Sequence, residues 1–152
     1  MRTIWIVVAD AGRARIVSKA EGTGGLLPVQ HLDNPAGRAH DSELVTDQTG
    51  RIGKHRSGIR SAMDPATDPH EEKASEFARE LNRLLDAAAA RHAYDLLVLV
   101  APPHFLGLLK SGLLPRAKRR LLRSLASDLT KLSTLELDSH LAELIHFPVT
   151  TA

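Results

Sequence analysis

The chain has 152 residues, of which 43% are hydrophobic and 25% charged, and a formal net charge of +2. This is the size and make-up of one globular domain able to bury its own core. Cysteine is absent, which excludes disulfides and thiol catalysis and leaves only His and carboxylates as zinc donors. With aromatics at 3% the core has to be aliphatic, and so small a net charge makes the local distribution of charge the informative quantity.

Ile4 to Ala9 is a nearly continuous apolar run, the pattern of a buried strand. It is too short for a signal peptide or a membrane span, which together with the lack of Cys points to a cytoplasmic protein without a membrane partner. Asp10-Ala-Gly-Arg13 reads as a turn, Ala14 to Ser18 as a second, antiparallel strand, and Leu26 to Leu32 as a third. The glycines of Glu21-Gly-Thr-Gly-Gly25 suggest a phosphate loop, but no Lys-Ser/Thr and no helix follow them, so they read as a hairpin turn.

Asp33 to His70 is a polar insert, with Val45 as a weak strand signal inside it. Compact domains seldom carry so long a connection unless it binds something or is disordered. It contains Arg51, Lys54, His55, Arg56 and Arg60 with no acidic residue among them, spaced by Gly50, Gly53 and Gly58. A mobile cationic segment of this kind suits a polyanion.

A long helix opens at Asp68-Pro69-His70-Glu71, with Asp68 as N-cap and Glu71 in the reciprocal capping position. Ala74, Phe77, Ala78, Leu81, Leu84, Leu85 and Ala88 then form one apolar face as far as about His92. Leu96 to Ala101 is uniformly apolar, hence a central strand covered on both sides. Pro102-Pro103 stops it, and a short helix runs from Phe105 to Lys110. Leu114 to Leu125 is ambiguous: its leucines have helical spacing, yet Leu121 to Ala126 equally suits an edge strand. Ser133 and Glu136 form a capping box for a last helix that buries Leu137, Leu141, Leu144 and Ile145. The result is a single α/β domain over 1–145, a mixed sheet flanked by helices, with a tail at 146–152.

A second basic cluster comprises Lys110, Arg116, Lys118, Arg119, Arg120 and Arg123. It follows the C-terminal end of the central strand, where open α/β sheets bind ligands, and joined to the loop cluster it would make a phosphate-tracking surface. The plainer alternative is a solvated face whose Arg stems cover apolar surface. No aromatics interleave with these cations, which argues against base stacking. Asp10, at the end of the first strand, Arg13 and His104, at the strand-to-helix turn, are candidate ligand contacts. Asp10 also admits a metal-dependent nuclease if Asp95, Glu136 or Asp138 converge on it. Asp64, Asp68, His70 and Glu71 admit a metal cluster, but capping already accounts for Asp68 and Glu71. There is no Gly-x-Ser-x-Gly elbow for a serine hydrolase.

Trp5-Ile-Val-Val-Ala-Asp10 with Arg13-Ala-Arg-Ile16, Asp68-Pro-His-Glu71, Leu97-Val-Leu-Val-Ala-Pro-Pro103 with Phe105-Leu-Gly107, and Asp128-Leu-Thr130 together resemble the family of host attachment proteins. That family is similar to the middle domain of archaeal and eukaryotic class-one release factors and of the ribosome-rescue protein Pelota. The resemblance implies a mixed sheet with flanking helices, distantly related to ribonuclease H. In release factors a basic loop at the place of Gly50 to Arg60 carries the Gly-Gly-Gln of peptidyl-tRNA hydrolysis. Here that motif is missing, and Gln48 is not preceded by glycines. The resemblance therefore implies a non-catalytic, cofactor-free and metal-free protein whose partner is a ribosome or structured RNA. A protein partner is the alternative, with an indirect role in attachment to host cells. The oligomeric state is left open.

Overall fold

The structure, a computed structural model, describes residues 1–37 and 69–149. Arg51, Lys54, His55, Arg56 and Arg60 therefore lie outside the described residues, as do Val45, Asp64, Asp68 and the last three residues of the tail.

At the centre, β1 (Thr3–Asp10) and β4 (Leu96–Ala101) pair in parallel, from Ile4 opposite Leu96 to Val8 opposite Val100. Every residue from Ile4 to Ala9 and from Leu97 to Ala101 is buried, which is why both segments are apolar without alternation. β2 (Arg13–Ala20) and β3 (Leu27–Asp33) continue antiparallel beyond β1, and β5 (Leu121–Ala126) lies parallel beyond β4. The sheet order is thus β3-β2-β1-β4-β5, a mixed α/β sheet as the sequence predicts. Among the described residues β3 is an edge strand, and Pro28 and an adjacent register shift interrupt its ladder with β2.

Parallel neighbours need a long crossover, and α1 (Pro69–Ala90) supplies it. Pro69 suits the first helical position and Glu71 and Glu72 favour the positive end of the helix dipole. Of the predicted stripe, Ala74, Phe77, Ala78, Leu81, Leu85 and Ala88 are buried against Trp5, Val7, Leu97 and Leu99, and Leu84 is half-buried against the same core. α2 (Pro103–Ser111) and the single turn α3 (Pro115–Lys118) complete this layer. The ambiguous stretch after Leu114 is thus divided between a helical turn and the edge strand β5.

The other face holds Ile4, Ile6, Val8, Val98 and Val100, covered by Leu129 and by α4 (Thr134–Leu141), whose Ser133–Glu136 capping box is formed. The last helix is shorter than its pattern suggests. It ends at Leu141, and Leu144, expected in the buried face, is 36% exposed while Ile145 is buried. Beyond it Phe147 packs on this second core, with the Arg2 guanidinium 5.4 Å from its ring centre.

Arg2 also grips Glu21 in a fork, Nε to Oε1 at 2.9 Å and Nη2 to Oε2 at 2.6 Å, tying the start of β1 to the end of β2. These hydrogen bonds hold the Glu21 carboxyl down at about 2, below its ordinary 4.5. A carboxyl depressed in the folded state stabilises fully above its ordinary value and loses that contribution as pH falls through the folded one. Arg2→Ala should therefore flatten the acid limb of stability between pH 4.5 and about 2. Urea melts across a pH series check this; an unchanged limb would mean that the pair adds nothing to folding.

Candidate functional site

The chain leaves β1 toward β2 on one side and β4 toward β5 on the other, so the connections diverge between β1 and β4. Outside the C-terminal ends of these two strands lies a pocket of about 290 Å³. Its lining includes Asp10, Arg13, His70, Glu71, His104 and Phe105. The three ligand contacts expected from the sequence, Asp10, Arg13 and His104, are brought together here.

Local bonding explains the arrangement. Asp10 Oδ1 accepts the backbone N–H groups of Gly12 (2.8 Å) and Arg13 (2.9 Å), closing the β1–β2 turn. Its Oδ2 lies 3.9 Å from Arg13 Nε and accepts weakly from the Thr130 hydroxyl at 3.4 Å. That hydroxyl also donates to Asp128 Oδ1 at 2.8 Å, so the Asp128-Leu-Thr130 motif closes over the turn. Asn34 braces it from the other side through its Nδ2, donating to the Ala11 carbonyl at 2.8 Å. A Cβ at Gly37 would run into that carbonyl, so only glycine fits there. On the far wall the His104 ring Nε2 meets Glu71 Oε1 at 2.7 Å, joining the first turns of α1 and α2. Glu71 thus spends an oxygen on His104, a pairing that capping arguments miss because it joins residues 33 apart.

Asp95 and Glu136 do not converge on Asp10. Asp95 Oδ2 accepts from the Thr3 N–H at 2.8 Å, at the opposite end of the sheet from Asp10. Glu136 is engaged in its capping box. Among the described residues no three His, Asp or Glu side chains are grouped to hold a metal ion.

The second basic cluster is displaced from where sequence order puts it. It follows β4 in the chain, but α2 carries the backbone back along the sheet, and the Arg120 carbonyl accepts from the Leu97 N–H at 2.8 Å. Arg116, Arg119 and Arg120 therefore line a recess of about 440 Å³ at the N-terminal end of β4, with His92. Asp10 and Pro69 stand at the other end, one length of β1 away, which for eight residues is about 23 Å.

Within the recess Arg116 Nη1 donates to Asp86 at 3.2 Å, and Arg120 lies 5.9 Å from the centre of the Tyr94 ring. Burial pushes the Tyr94 hydroxyl up to about 12, and it donates to the Leu85 carbonyl at 2.8 Å. Lys110, Lys118, Arg119 and Arg123 are exposed and have no acidic partner among the described residues. His92, not singled out in the sequence, ends α1 in the left-handed region at φ 58°. The Ala93 N–H bonds to Ala88 and the His92 N–H to Ala89, a Schellman cap usually built on glycine. The signal was present in the sequence: an alanine run that ends in Arg91-His92 with no glycine.

The profile of a family described as "Protein required for attachment to host cells" matches residues 5–141. The chain belongs to this family. The match spans both sites, from Asp10 and Arg13 through the Arg116–Arg120 recess to Thr130. No curated protein sequence matches the chain. Among solved structures it is similar to an archaeal translation termination factor, at 16% identity and a TM-score of 0.46, over 94% of this chain and 35% of that one. It is also similar to a structure titled "Archaeal protein", at 14% identity and a TM-score of 0.48, over 93% of this chain and 33% of the other. The chain spans about a third of the length of each.

Asp10→Ala should cost about 1–3 kcal/mol of stability by stranding two backbone donors, with Asp10→Asn recovering part of it, as read by chemical denaturation. His92→Gly should gain roughly 1 kcal/mol in the same measurement by relieving the left-handed cap.

Proposed function

We propose that this member of the family is a non-catalytic cytoplasmic protein that binds structured RNA, including ribosomal RNA, through its phosphates. The observation that carries this reading is the recess of Arg116, Arg119 and Arg120, flanked by exposed, acid-free Lys118 and Arg123. A non-glycine residue kept in a strained cap beside that recess fits a functional surface. The run Arg51, Lys54, His55, Arg56, Arg60 supplies a second cationic cluster in the sequence. In this reading attachment to host cells is a downstream consequence.

One observation favours a second reading, a protein-binding module: β3, an edge strand among the described residues, has Leu27 68% and Val29 40% exposed. A partner held there survives nuclease and high salt, whereas an RNA partner does not.

Phosphate contacts release counterions, so affinity falls with salt by about one unit of log–log slope per contact. Lys118→Ala, Arg119→Ala and Arg123→Ala combined should weaken binding to ribosomes or a structured RNA and lower that slope by up to about three units. Alanine at Arg51, Lys54, Arg56 and Arg60 should act in the same direction. Co-sedimentation across a salt series reads both variants, and wild-type slopes in both would eliminate the RNA reading.

A further inference from the structure

The pocket beyond β1 and β4 has a charge pattern unlike that of the arginine recess. One edge carries Asp10 with Arg13, the other Glu71 with His104, and the apolar atoms between them include Ala74 and Phe105. Each edge thus holds an acid beside a base. A phosphate would face two carboxylates, and a bare cation would face Arg13 and His104. A ligand with both charges, or with neither, is the one such a site accommodates without leaving a buried charge unpaired.

Among the described residues, Arg13 and Glu71 retain capacity to recognise charge. Arg13 Nε is buried with no hydrogen-bond acceptor among them, since Asp10 Oδ2 is 3.9 Å away. Glu71 Oε1 is taken by His104, and its other carboxylate oxygen has no hydrogen bond among the described residues. A volume of about 290 Å³ lies at the lower limit of small-molecule sites, the scale of an amino acid rather than a dinucleotide.

We propose that this pocket binds a zwitterion with an apolar side chain, a free α-amino acid or the like-charged short peptide. The ligand carboxylate accepts from the Arg13 guanidinium, its ammonium donates to the Glu71 carboxylate, and its side chain lies toward Ala74 and Phe105. The site is separate from the arginine recess and does not depend on the RNA reading.

The test is calorimetric titration of the full chain with leucine, isoleucine, valine and phenylalanine. Leucyl-leucine, leucinamide, N-acetylleucine and adenosine complete the panel. Saturable binding is expected for at least one of the amino acids or for the dipeptide, and which of the two sets the ligand length. Removing either charge, in leucinamide or N-acetylleucine, should weaken binding about tenfold or more. Arg13→Gln and Glu71→Gln, each checked for unchanged melting, should do the same; two variants on separate walls keep the test valid if one unfolds. Binding of none of the zwitterions overturns the proposal. So does adenosine binding in their place, or N-acetylleucine binding as well as leucine.

Discussion

The parallel pairing of β1 with β4 is the constraint from which the rest of the molecule follows. Two strands buried on both faces have nowhere to put a polar side chain, so the chain from Ile4 to Ala9 and from Leu97 to Ala101 is apolar throughout. Parallel neighbours cannot be joined by a tight turn, so the chain has to cross a face of the sheet, and α1 is that crossing. Once α1 covers one face, the other face would remain open, and the segment from Leu129 to Phe147 exists to close it. Arg15 helps to hold that segment by donating to the Leu132 carbonyl from β2, a bond for which its guanidinium gives up part of its hydration.

A dry, double-sided centre confines polar chemistry to the strand ends, and the two ends differ. At the C-terminal ends, acids and bases alternate around a small pocket, Asp10 placed by its bonds to the turn and Glu71 and His104 by their pairing at two helix starts. At the N-terminal ends, the arginines outnumber their acidic partners, with Asp86 engaging only Arg116. Between them lies the length of β1, about 23 Å, well beyond the Debye length at physiological salt, so a charge change at one end is largely screened from the other.

Much of this was legible in the sequence. The limits of the central strand, the apolar stripe of α1, the antiparallel start and the Ser133–Glu136 capping box are all local patterns, and local patterns survive folding. Asp10, Arg13 and His104 were legible as ligand candidates because each sits where a strand turns. What sequence order could not convey is direction of travel. Arg116 to Arg120 follows the C-terminal end of β4 in the chain but returns along α2 to the opposite end in space. The Glu71–His104 pair was hidden for the same reason, since it depends on two helix starts meeting side by side on one face of the sheet. Leu144 misled by spacing alone: α4 stops at Leu141, and the helical period that would bury Leu144 stops with it.

The shortage of aromatic side chains decides what kind of recognition this scaffold can support. The chain has one Trp, one Tyr and three Phe. Trp5 stacks on Tyr94 with centroids 5.0 Å apart, and Phe77 packs against Phe105 at 5.9 Å, all four buried. Phe147 lies against the second core beneath Arg2. None is left to form a platform on which unpaired bases stack, the interaction by which single strands are usually gripped. Any nucleic acid that this surface holds is therefore held by its phosphates, and phosphate contacts read the shape of a backbone rather than its sequence.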